Sequence, residues 1–199
     1  MDGHGLNAVQ RRPAAVLAAL AILSGTLGAG VQGPGLGTAP ALGLHMPLTG
    51  VWFAVVIGFG VWRWGKRSLA AVATAIAMTW AGWEAAVNAG LQIDQGWLAA
   101  TALPDNLKTY VIGFVAGAVG ALLTWAGAAA FAPAVRLMWW PLAFGAAGAL
   151  LGLLLPFTNH YDNAVILLVP WQAAIAALLG LGLASARNFG VATASRDIV

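Results

Sequence analysis

The stretch SLAAVATAIAMTWAGWEAAVNAGL, residues 68–91, decides how this chain is read. It is long enough to be helical across a bilayer core of about 30 Å, which needs roughly 20 apolar residues. One charged side chain, Glu84, interrupts it. The rest of the chain follows the same grammar. Apolar stretches also run from Pro13 to Val31, Pro47 to Trp62, Thr109 to Phe131, Leu137 to Leu155 and Ala164 to Ser185. The reading is therefore an all-α, polytopic membrane helix bundle of six spans. The second span is the shortest, and could extend to Trp64.

Composition agrees. Hydrophobic residues make up 61% of the 199 and charged residues 8%. A soluble enzyme domain carries about a quarter charged residues, so that class is excluded. Disorder needs the opposite balance. Cysteine is absent, which removes disulfides, thiolate metal sites and cysteine nucleophiles. The net charge of +3 does not point to nucleic acid. It comes from basic residues spread over short loops.

Their placement sets the orientation. Arg11 and Arg12 precede the first span, and Arg63, Lys66 and Arg67 separate the second from the third. Arg136 separates the fourth from the fifth, and Arg187 and Arg196 follow the sixth. With both termini cytoplasmic, all of these lie inside, and Lys108 falls outside with Asp94, Asp105 and Asp162. That is a positive-inside bias. The organisation expected is a cytoplasmic segment 1–12, a membrane domain 13–187 and a cytoplasmic tail 188–199. The lipid bilayer is the first partner. A rival reading makes Arg11-Arg12 and the run after it an export signal, cleaved or twin-arginine in type.

Trp occurs 10 times. Trp52 and Trp97 fall at the outer interface, and Trp62, Trp64, Trp139 and Trp140 at the inner one, as an aromatic belt would place them. Trp80, Trp83, Trp125 and Trp171 lie deeper. The outer segment Gln32–Met46 is rich in Gly and Pro, and a second long outer loop runs from Gln92 to Lys108. Gly113-x-x-x-Gly117 and Gly148-x-x-x-Gly152 let helix backbones approach closely. The three-plus-three layout matches that of inverted-repeat transporters, but no matched residues relate the halves.

Glu84 is the sole carboxylate within a span. A charge at such depth is costly and often functional. Counted from Ser68 at about 1.5 Å per residue, it lies roughly 24 Å along its helix, in the outer leaflet. Trp80 and Asn88, one turn either side, share its face. Glu84 is read either as a structural acid or as a group for proton or quinone chemistry. In the sixth span, Pro170 frees a backbone carbonyl and Gln172 adds an amide at similar depth, so a polar pocket shared with Glu84 is expected. The outer cluster Thr158–Asn163 reads as a solvated turn or docking surface. No Walker loop, Gly-x-Ser-x-Gly or His-Glu-x-x-His occurs. No Lys lies in a span for a retinal Schiff base. His4, His45 and His160 all lie outside the spans, which argues against a haem bundle.

The segment Trp80-Ala81-Gly82-Trp83-Glu84 resembles one late in the third span of the N-terminal membrane domain of membrane-bound, PQQ-dependent glucose dehydrogenase and related quinoprotein dehydrogenases. The Gly-rich loop before the second span and the run Trp62-Arg63-Trp64-Gly65-Lys66-Arg67 after it agree with that family. The likeness covers residues 11–162. Three departures matter. Asn88 stands where the family has an acid. The loop after the third span is longer and lacks an arginine. The family domain has five spans and continues into a periplasmic β-propeller holding PQQ, calcium and the active site, whereas here a sixth apolar stretch follows.

The resemblance implies a membrane anchor subunit in a bacterial inner membrane, non-catalytic by itself. A separate periplasmic β-propeller dehydrogenase would dock on it, keep PQQ and calcium to itself, and pass electrons to ubiquinone. The expected ubiquinone-binding residues are Trp80, Trp83, Glu84, Asn88 and Gln172. The alternative is a small transporter or channel with Glu84 as its proton or cation site.

Overall fold

The computed structural model describes residues 8–31, 38–39, 44–45 and 49–194. The expectations for Arg196 and His4, and for most of the outer segment 32–46, lie outside the described residues. The architecture is all-helical. Its helices are α1 (Ala8–Val31), α2 (Thr49–Trp64), α3 (Leu69–Gln92), α4 (Asp105–Ala129), α5 (Trp139–Gly152), α6 (Leu155–Tyr161) and α7 (Val165–Ala194). A two-residue antiparallel pair joins β1 (Thr38–Ala39) to β2 (Leu44–His45).

Five stretches are long and apolar enough to cross a membrane: Arg12–Gly30, Leu69–Trp97, Asp105–Ala129, Trp139–Tyr161 and Val165–Ser185. The second expected span, α2, has 16 residues and is too short to join them by length. At about 1.5 Å per residue it reaches roughly 24 Å.

Local chemistry sets the element ends. Ser68 caps α3, its Oγ accepting the Ala71 N–H at 3.1 Å. α3 then runs into a π-helical turn, Ile93–Trp97, so the loop expected from Gln92 shrinks to the residues just before α4. At the far end of α4, Arg136 donates to the carbonyls of Ala129 and Ala130, closing that terminus with a cation. Trp125 donates its indole N–H to the Val135 carbonyl at 2.7 Å. The fifth apolar run is broken at Leu153–Leu154. Pro156 cannot donate to Gly152 and its ring crowds that carbonyl, so a new helix starts. The polar cluster read as a loop is therefore mostly α6, closed by Asp162 in the left-handed region at φ 47°. α7 continues through 188–194, where a tail was expected.

The helices run antiparallel to their chain neighbours in a closed ring, with α7 packed against α1, α2 and α5. Gly58 of α2 faces Val72 and Ile76 of α3, and Gly82 of α3 faces Gly120 and Leu123 of α4. Gly25 of α1 meets the backbone of Leu168 and Val169, and Gly180 meets Pro13 and Ala14. Charges sort by end. Arg63, Lys66, Arg67 and Arg136 lie at the basic end, while Asp94, Asp105, Asp162 and Lys108 lie at the acidic end.

The tightest seam joins α4 to α5. A Cβ added at Gly113 would run into the Gly152 carbonyl, and one at Gly117 into that of Gly148; the reverse additions collide likewise. Only glycine permits this approach. In lipid, where apolar burial does not pull helices together, such van der Waals contact is what holds them. Of the six expected belt residues, Trp52, Trp62, Trp97 and Trp139 are exposed, while Trp64 is half-buried against the core. Trp140 departs from the belt: at 1% exposed it is core, packed on Phe144 and facing Gly182.

Gly117→Leu should separate α4 from α5. Overpacking of this kind costs about 1–3 kcal/mol or more. A lowered thermal midpoint in detergent is expected; an unchanged midpoint would mean that the seam does not hold the bundle.

Candidate functional site

α3 is the wall from which the site is built. One side, Thr74, Met78 and Gly82, meets α4, while Val72, Ile76 and Trp83 meet α2. Ala73, Ala77 and Ala81 form an exposed strip. Glu84 follows Ala81 at i+3 and Ala77 at i+7, so it continues that strip. Yet it is only 9% exposed. Besides α2, α4 and the π-helical turn, β2 is the described element that lies against α3. Neither Glu84 carboxyl oxygen has a hydrogen-bond partner among the described residues. Trp80, one turn earlier, turns its indole N–H towards the carboxylate without closing a well-formed bond. Asn88 donates its side-chain N–H to the Glu84 backbone carbonyl at 2.8 Å.

The adjoining side of α3 opens on a cavity of about 480 Å³. Its walls come from α3, α4, α6 and the first turns of α7, with Gly152 of α5. Trp83 and Ala86 line it towards the bundle centre, opposite Trp171 and Gly120. Asp94, Thr109, Thr158 and Asn159 line it towards the acidic end. Asp94 and Asn159 are exposed there. From Trp83 to Asp94 is 11 residues, roughly 16 Å of helix. The seam glycines Gly113, Gly117 and Gly152 lie in this wall too.

Three wall residues carry a buried hydrogen-bond donor with no partner among the described residues: the indole N–H of Trp83, that of Trp171 and the Thr158 hydroxyl. Trp171 is 7% exposed and held edge-on by Phe53, with ring centroids 5.7 Å apart. Its Cζ2 and Cη2 edge faces Gly120. Trp83 presses its Cβ, Cγ and Cδ1 on Gly50 of α2. These donor atoms have no water-accessible surface, so a molecule in the cavity that offers acceptors would meet them only once the side chains turn towards it. Most of its lining is apolar, as small-molecule sites usually are.

Of the five residues expected to act together, the structure puts Trp83 on the cavity. Trp80, Glu84 and Asn88 lie on the adjoining flank of α3 and do not line the cavity. Gln172 is 1% exposed, with an unpartnered amide oxygen, and does not line the cavity either. Neither Glu84 nor Gln172 lines this cavity. The residue beside Gln172, Trp171, takes the place expected of it. Asp94 and Thr158 carry signals in the sequence only as outer polar residues. Their approach to Trp83 depends on the π-helical turn and on α6, which periodicity does not reveal. Among the described residues no cluster of His, Cys, Asp or Glu could hold a metal ion.

Trp171→Phe removes the orphan N–H and keeps the ring. Thermal stability in detergent should hold or rise by up to about 1 kcal/mol. A loss above ~2 kcal/mol would mean that the N–H has a protein partner after all.

No family model, curated protein or solved structure matches this chain.

Proposed function

We propose that this chain is a six-span membrane anchor subunit that binds ubiquinone for a periplasmic PQQ-dependent dehydrogenase, with both termini at the cytoplasmic, basic end. The observation that carries the reading is the cavity beside Trp83. It is apolar enough for a hydrophobic ring, and its wall holds unpartnered donors in Trp83, Trp171 and Thr158. Quinone carbonyls are acceptors, so the two sets are complementary. The resemblance of Trp80-Ala81-Gly82-Trp83-Glu84 to quinoprotein dehydrogenase membrane domains supports the same assignment.

Ubiquinone, when bound, supplies an acceptor for paired electrons and protons. The chain's own part is to hold and orient. Trp171, fixed by Phe53, and Thr158 would donate to the acceptor oxygens, and Trp83 would close the wall towards α2. Gly120 leaves room for the Trp171 ring edge. Electrons would come from a dehydrogenase docked at the acidic end, whose PQQ and calcium lie outside this chain. Glu84 would serve assembly under the β1–β2 segment and take no part in binding the ring. The transporter reading needs a polar path on both sides of Glu84. Ala73, Ala77 and Ala81, which lead from it towards the basic end, supply none.

Purification from native membranes tests this. The expected result is a large β-propeller partner and extractable ubiquinone. Paired Trp171→Phe and Thr158→Val substitutions should weaken quinone binding about thirtyfold, the worth of two hydrogen bonds at about 1 kcal/mol each. Glu84→Gln should leave it unchanged. A chain that purifies alone and quinone-free, with no affinity for added decylubiquinone, would refute the proposal.

A further inference from the structure

Trp83 and Trp171 and the polar mouth occupy opposite ends of one cavity. At the bundle centre it ends at Trp83, Ala86, Gly120 and Trp171; below them Gly82 is packed on Leu123. No lining residue comes from the basic end. At the acidic end the walls turn polar at Thr109, Thr158, Asn159 and Asp94. A volume of 480 Å³ far exceeds the ~10–15 Å³ of probe volume one water needs. Water entering at this end meets the exposed polar side chains of Asp94 and Asn159.

We infer that the cavity is a water-filled shaft open only at the acidic end, with Asp94 at its mouth, so that a ligand beside Trp83 and Trp171 exchanges protons with that aqueous phase alone. Asp94 is the one ionisable residue of the lining. The charged groups around the mouth are few. By the antiparallel register that sets Gly90 against Ile112, Lys108 of α4 stands opposite Asp94. Its ammonium pairs with Asp105 at 3.6 Å. From the end of α6, His160 and Asp162 are the titratable neighbours, and Tyr110 packs on Phe157. Glu84, on the adjoining flank of α3, is not among the lining residues. For the proposed quinone site, on which the proton statement rests, the protons that accompany the partner's electrons would be drawn from the acidic side. The aqueous shaft itself does not depend on that reading.

The absence of native cysteine makes the test direct. Ala116→Cys and Val87→Cys place a thiol on the wall, on two different helices. Leu122→Cys places one on the exposed, lipid-facing side of α4. Thiols react as thiolates, which form in water and not in lipid. A membrane-impermeant cationic methanethiosulfonate, added to oriented proteoliposomes from the acidic side, should modify both wall positions at least about tenfold faster than Leu122→Cys. Either wall variant reacting this way supports the shaft, so a fold-damaging substitution at one does not blunt the test. Wall thiols no faster than Leu122→Cys, or reached faster from the basic side, would overturn it. Decylubiquinone should slow the wall reaction. If the thiols react quickly and decylubiquinone gives no protection, the quinone reading fails while the shaft stands.

Discussion

The contact between α4 and α5 is the constraint on which the rest depends. Gly113 and Gly117 lie against Gly152 and Gly148 so closely that no side chain fits between. In a bilayer this replaces the hydrophobic effect as the force joining helices. It also draws the α4 backbone into a wall. The same glycines that remove side-chain bulk from the seam leave the volume beside Trp83 and Trp171 unfilled. Assembly and binding site thus share one cause.

α3 is divided by the same geometry. Its small residues Gly82, Ala86 and Gly90 face α4 and the cavity. Its acid lies on the flank beside the cavity, continuing the strip Ala73, Ala77 and Ala81 while remaining shielded, and its carboxyl oxygens have no hydrogen-bond partner among the described residues. The proposed function assigns the hydrogen bonding to uncharged donors instead. Indole and hydroxyl groups can meet a carbonyl without the desolvation cost of a charge.

Much of this architecture is legible in the residues. Long apolar runs announce the helices, and the basic residues gather at one end of the bundle. The Gly-x-x-x-Gly pairs mark the seam because small side chains have a single physical use there. The site is less legible. Glu84 draws attention because charge in a membrane is rare, but helical phase alone leaves open which neighbour a face meets. Trp140 has the position of a belt residue and is buried only because α7 brings Gly182 to it. Asp94 and Thr158 reach the cavity through a π-helical turn and a proline-started short helix, both set by tertiary contacts. Pro156, just past the end of the fifth run, is the local breaker that starts α6.

A cryo-electron microscopy map of the protein in lipid nanodiscs with added ubiquinone tests the central claim most directly. The account predicts a ring-shaped density between α3, α4 and α7, bounded by Trp83 and Trp171, with solvent density leading out past Asp94. Density against Glu84 in place of Trp83 and Trp171, or a cavity filled by protein side chains, would contradict it.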